Sequence, residues 1–148
     1  MSVWRPPSVV RPIAIGVVRR GEELLLMAVC NDGGAIKGWR PLGGTIEFGE
    51  RAADALRREF AEEAGLAIDQ PELLTVMENL YSHHGSAGHE IVFVFDAKVA
   101  HDADYRRAAF SFDDGGVRSE VQWVALAHFL RSEAQLFPVG LLEVIDAK

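Results

Sequence analysis

The chain has one cysteine, Cys30, in 148 residues, which excludes an internal disulfide. That scarcity fits a reducing cytoplasm. The apolar run Leu24 to Val29 beside it points to a packed residue rather than a reactive thiol. Long hydrophobic stretches are also missing: no run approaches the roughly 20 apolar residues that a spanning helix requires. Met1 to Pro12 carries Pro6, Pro7 and Pro12 and no apolar core segment, so nothing there reads as a secretory signal. Positive charge is in short supply. Fifteen Lys and Arg stand against 22 Asp and Glu, for a net charge of -7, which argues against a broad nucleic-acid surface. It does not argue against a phosphate substrate, because bound divalent cations invert the field where acids cluster. Internal repeats, low-complexity tracts and linkers are not visible, and the length suggests one domain over residues 1–148.

What is present is the balance of an ordinary soluble globule, 49% hydrophobic and 25% charged, so a packed core is expected. Pro12 to Arg19 reads as a strand and Arg19 to Glu22 as a turn, with Glu23 to Cys30 as the hairpin partner. Asn31 to Gly38 reads as a loop. Trp39 to Ile46 reads as a short extended segment broken by Pro41 and the glycine pair. A helix is predicted from near Arg51 to Ala64, stopped by Gly65. Leu73 to Ser82 and Glu90 to Val99 are strand candidates joined by a flexible polar segment, His83 to Gly88. His101 to Gly116 reads as a charged loop, Val121 to Ala125 as a last strand, and Ala127 to Arg131 and Val139 to Ala147 as helical pieces parted at Pro138. The pattern places the chain in the mixed α and β (α+β) class.

The helix from Arg51 carries the chemistry. At about 100° of rotation per residue, Glu59, Glu62 and Glu63 fall on one stripe. Three adjacent acids repel one another unless something cationic lies between them, and a hard divalent cation with oxygen ligands, Mg²⁺ or Mn²⁺, suits them. A plain solvated acidic face is the competing reading. Against it, Ala53, Leu56, Phe60 and Ala64 form an apolar flank, so the stripe borders a core. Arg58 precedes Glu62 by one turn, where it can fix a carboxylate rotamer.

Gly44, Glu50, Arg58, Glu59, Phe60, Glu62, Glu63, Gly65 and Leu66 follow the pattern G-x5-E-x7-R-E-U-x-E-E-x-G-U, with U an apolar residue. This matches, without gap or substitution, the signature of the Nudix hydrolase family, which the chain therefore resembles. The resemblance implies an α/β/α sandwich with a mixed β-sheet. It also implies hydrolysis of a nucleoside diphosphate derivative by water attack on phosphorus, with Mg²⁺ or Mn²⁺ as cofactor. By the same resemblance Glu59, Glu62, Glu63 and the Gly44 carbonyl would be metal ligands, and Glu59, Glu62, Arg58 and Glu50 the catalytic set. Within it Arg58 would orient the glutamates, and Glu50 would support the turn by capping or ion pairing. The general base falls to Glu59 in some family members and to a distant glutamate in others; Glu90 and Glu120 are the outside candidates, and both are also candidate substrate contacts.

The run Trp39-Arg40-Pro41-Leu42-Gly43-Gly44 departs from the many members with proline directly before the glycine pair, which leaves the substrate open. Arg40 is either a planar fork for a phosphate or a surface residue on a strand. His83, His84 and His89 lack a recognised ligand spacing and read as loop residues near substrate. Trp39, Phe48 and Tyr81 are candidates either to stack on a nucleobase or to pack in core or rim; Trp123 reads as core. The implied partner is a small nucleotide-type substrate, with a homodimer in view and no membrane. A non-catalytic nucleotide-binding module would be the alternative had the acidic signature eroded, which it has not.

Overall fold

Alternating apolar side chains on paired strands decide the architecture. In the computed structural model, which describes residues 4–114, 117–131 and 134–146, Val10–Arg20 forms β1 and Glu23–Cys30 forms β2. Ala14 and Val18 of β1 and Leu25 and Met27 of β2 belong to one buried cluster. Ile15 and Val17 with Leu24 and Leu26 belong to a second. Neighbouring residues of a strand point to opposite faces, so the two clusters lie on either side of a sheet. Helix α1, Ala52–Ala64, covers the first face with Ala55, Leu56, Phe60 and Ala64. Helices α2, Leu126–Arg131, and α3, Leu141–Asp146, cover the second with Phe129, Leu141 and Ile145. This is the α/β/α sandwich expected. Each fully buried side chain such as Phe60 contributes about 2–3 kcal/mol to holding it.

The remaining strands are β3 (Ile36–Thr45), β4 (Ile68–His83), β5 (Ser86–Val99), β6 (Ala109–Asp114), β7 (Val117–Ala125) and the short β8 (Gln135–Leu136). They run in the order β4-β5-β1-β3-β2-β7-β6, with β8 beside β3. β1 with β5 and β3 with β8 are parallel, the other pairs antiparallel, so the sheet is mixed. β1 and β2 meet at the hairpin neck, Arg19 opposite Leu24 and Arg20 opposite Glu23, before β3 comes between them.

Several expectations need correction. Pro41 does not interrupt β3; it pairs opposite Leu26, while the next residue, Leu42, pairs with Gly16 of β1. The strand changes partners at this proline, where the missing N–H costs least. His83 to Gly88 is not a flexible linker but the tip of a long β4–β5 hairpin. His84 and Gly85 both carry positive φ, 51° and 78°, as a tight hairpin turn demands. The charged segment after His101 contains a 3₁₀ turn, Asp102–Arg106, and then β6, whose pairing with β7 the composition hid. Gly115 and Gly116 lie outside the described residues, as does Ala147. The last long strand starts at Val117, earlier than its apolar portion. Cys30 is exposed rather than packed: the β2–β3 register shifts between Val29 and Cys30, which takes the thiol out of the ladder's alternation. No helix among the described residues is long and apolar enough to cross a membrane.

Candidate active site

Three elements converge on the acidic stripe: the end of β3, the loop after it, and α1. Gly43 and Gly44 lie on β3 opposite Ile15 and Ala14. The backbone there admits no side chain. A Cβ on Gly43, whose φ is 150°, would fall 2.0 Å from the Ala14 carbonyl oxygen. One on Gly44 would fall 2.5 Å from the carboxyl carbon of Glu59. The glycine pair therefore lets α1 seat its carboxylates directly against the strand.

Arg58 organises the stripe. Its Nε and Nη2 donate to the two oxygens of Glu50 at 2.8 and 3.0 Å, a bidentate fork. Its Nη1 donates to Glu59 at 3.0 Å and Glu62 at 3.3 Å, and Nη2 also donates to the Thr45 carbonyl at 2.9 Å. Glu50 in turn accepts from the Glu47 backbone N–H at 3.0 Å. Of the two supporting roles open to Glu50, ion pairing is what the geometry shows, because α1 is capped at Arg51 without a side-chain bond. The Arg58 fork, helped by the Glu47 N–H, pulls the Glu50 carboxyl down to about 2. The same carboxylates push the Arg58 guanidinium above its usual value.

Glu63 is the most enclosed of the stripe, its side chain 12% exposed against 56% for Glu62. One oxygen accepts from the Gly43 N–H at 2.9 Å; the other faces Arg40 Nη2 at 3.4 Å. Burial raises its pKa, and the Arg40 charge and Gly43 bond offset that in part. Arg40 thus pairs with an acid of the stripe and lines the neighbouring cleft. Among the described residues no three Asp, Glu, His or Cys side chains converge as a ready-made metal cluster. Arg58 and Arg40 occupy the carboxylates instead.

The cleft, about 940 Å³, opens beside the glycine pair between β1, β2, β3, β4 and β5. Ile13, Ile15, Met27 and Phe137 give it an apolar lining; Arg11, Asn79, Tyr81 and Glu90 form a polar end. Glu90 and Glu120 both border it, but Glu90 is buried and Glu120 exposed. Of the aromatic candidates Tyr81 lines the cleft, Trp39 and Trp123 pack in the two cores, and Phe48 stands fully in solvent. His83 and His84 reach the cleft, His84 bonded to Asp32, while His89 pairs with Leu80 within the hairpin. The sequence reasoning missed Arg11, Asn79 and Trp4. Their one signal was proximity to strands whose pairing it could not see.

A family model for the NUDIX domain matches residues 10–143. The chain belongs to the Nudix family. Its fold is similar to that of a NUDIX hydrolase from Nitrosomonas europaea at 22% identity and TM-score 0.67, covering 93% of this chain and 87% of that one. A MutT protein from Methanosarcina mazei Go1 gives 20% identity and TM-score 0.61, covering 99% and 95%. A UDP-X diphosphatase gives 18% and 0.54, covering 85% of this chain and 54% of that one. At these identities the structural likeness speaks for the fold; family membership rests on the NUDIX match. The chain is a Nudix hydrolase, and the residues from Gly44 to Leu66 are its signature segment.

Proposed function

We propose that this Nudix hydrolase is a Mg²⁺- or Mn²⁺-dependent pyrophosphohydrolase. It cleaves a phosphoanhydride in a nucleotide or nucleoside diphosphate derivative by water attack on phosphorus. One observation carries the reading: Glu59 and Glu63 lie against the Gly43-Gly44 backbone, which lines the cleft, and Arg58 ties Glu62 to Glu59 beside them. The donor set fits a hard divalent cation. All its members are oxygens, Glu63 is a largely enclosed carboxylate whose pKa burial raises, and Gly44 has no Cβ between its backbone and Glu59. Such a cation, when bound, neutralises polyphosphate charge and lowers the pKa of the attacking water.

The chain's own residues supply placement. Glu59, Glu62, Glu63 and the Gly44 carbonyl would hold the ion. Arg58 is a positioning residue that keeps Glu59 and Glu62 in register through Glu50 and Thr45. Arg40, more than a third exposed at the cleft, offers its free donors to a phosphate oxygen. The proton of the attacking water passes to a carboxylate at hydrogen-bond reach. Glu59 stands against Gly44, and Glu90 and Glu120 border the cleft.

The test is a screen of nucleotides with Mg²⁺ and Mn²⁺, read as release of phosphate or nucleoside monophosphate. Glu62→Gln and Glu63→Gln should each abolish metal-dependent turnover while the melting transition is retained. Unchanged turnover in both variants would overturn the assignment.

A further inference from the structure

Glu90 is the one buried polar or charged side chain among the described residues, 9% exposed, and it lines the cleft away from the glycine pair. Register sets its place. On β1, Arg11 lies opposite Glu90 while Ile15 lies opposite Gly43, so the carboxylate sits four residues, about 13 Å of strand, from the glycine pair. Ile13 and Ile15 line the apolar stretch between them. Carboxylates stand at both ends, with an apolar wall between them.

The acceptor is only half satisfied. Asn79 Nδ2 donates to Oε1 at 3.2 Å and the Tyr81 hydroxyl donates to Oε2 at 3.1 Å, and Arg11 Nη2 is ion-paired with Oε2 at 3.9 Å. A carboxylate offers about four lone-pair sites, two on each oxygen. Each oxygen accepts one side-chain hydrogen bond, which leaves it capacity for a second, on a residue that lines the cleft. Two side-by-side acceptors call for two side-by-side N–H donors. A phosphate or carboxylate there would be repelled, and a ring edge that alternates donor and acceptor would leave one oxygen unpaired at a desolvation cost. Tyr81 and Trp4 give the same end flat aromatic walls.

Building on the proposed function, we infer that Glu90 is a specificity-determining residue. It selects a nucleobase that presents an exocyclic amine beside a ring N–H, the edge of a 2-amino-6-oxopurine, with the phosphates toward Gly43 and Gly44. Asn79 and Tyr81 hold the carboxylate in position for that edge.

Calorimetric binding of GMP and IMP tests this, because the two ligands differ only in the amine. The wild-type protein should bind GMP about tenfold or more tightly than IMP, the worth of one charge-assisted hydrogen bond. In Glu90→Gln, which exchanges an acceptor for donors, the ratio should shrink to within about twofold. Equal affinity for the two ligands, no binding of either, or an undiminished ratio in Glu90→Gln would each overturn the inference. The wild-type comparison stands even where the variant folds poorly. Absence of GTP and ITP turnover with the GMP preference intact would instead sink the hydrolase reading and leave the base site standing.

Discussion

The signature helix and the cleft beside it solve opposite problems. On α1 the carboxylates are crowded and exposed to one another, and a single guanidinium answers two of them, with Glu50 just before the helix, at 2.8 to 3.3 Å. In the cleft one carboxylate, Glu90, stands among donors and apolar walls with acceptor capacity to spare. The first region is built to hold charge in a fixed array; the second is built to read a shape and a donor pattern. Damage to the first should therefore fall on turnover and damage to the second on substrate affinity.

Gly44→Ala sharpens that contrast most. The added methyl meets the Glu59 carboxyl rather than backbone, so the fold should persist while the carboxylate is displaced. We expect kcat to drop by about 100-fold with KM little changed, read by steady-state kinetics beside a melting curve. Trp4→Ala is the complementary case. Trp4 is exposed, borders the cleft and lies over Arg11 at 5.2 Å, so its loss should raise KM by about tenfold and leave kcat within about twofold. A kcat effect there larger than the KM effect would break the division. The smallest effect concerns acid. The Glu50 carboxyl is held at about 2 against an ordinary 4.5, so its contribution to stability is complete above 4.5 and is lost as pH falls toward 2. The melting temperature of Glu50→Gln should accordingly fall less between pH 5 and pH 2 than that of the wild type. Equal slopes would mean that the Arg58 fork does not stabilise the fold.

The two regions also differed in how much the sequence disclosed. The helix was legible because every determinant is local. The acids recur at helical spacing, Gly65 takes a left-handed φ of 64° where it was expected to stop the helix, and the start shifted by one residue, from Arg51 to Ala52. Arg58 to Glu62 is a one-turn pair that periodicity places unaided. The cleft was not legible because its walls come from Trp4, Arg11, Met27, Tyr81, Glu90 and Phe137, which meet through strand pairing alone. Glu90 reads as a strand-end acid until the hairpin turn at His84-Gly85 sets Asn79 opposite it and parallel pairing sets Arg11 on its other side. The turn itself was disguised by a non-glycine residue at positive φ, and β6 by its charged surroundings.

The change of partners along β3 bears on where such a chain tolerates added length. Upstream of Pro41 the strand answers to β2 and β8, and the loop from Asn31 to Ala35 can take up an inserted residue without disturbing β1. Between Pro41 and Gly44 no such slack exists: one extra residue would turn every following side chain to the opposite face and bring a methyl or larger group under Glu59. An insertion in that loop should thus leave the site intact, whereas one in the few residues before the helix should dismantle it.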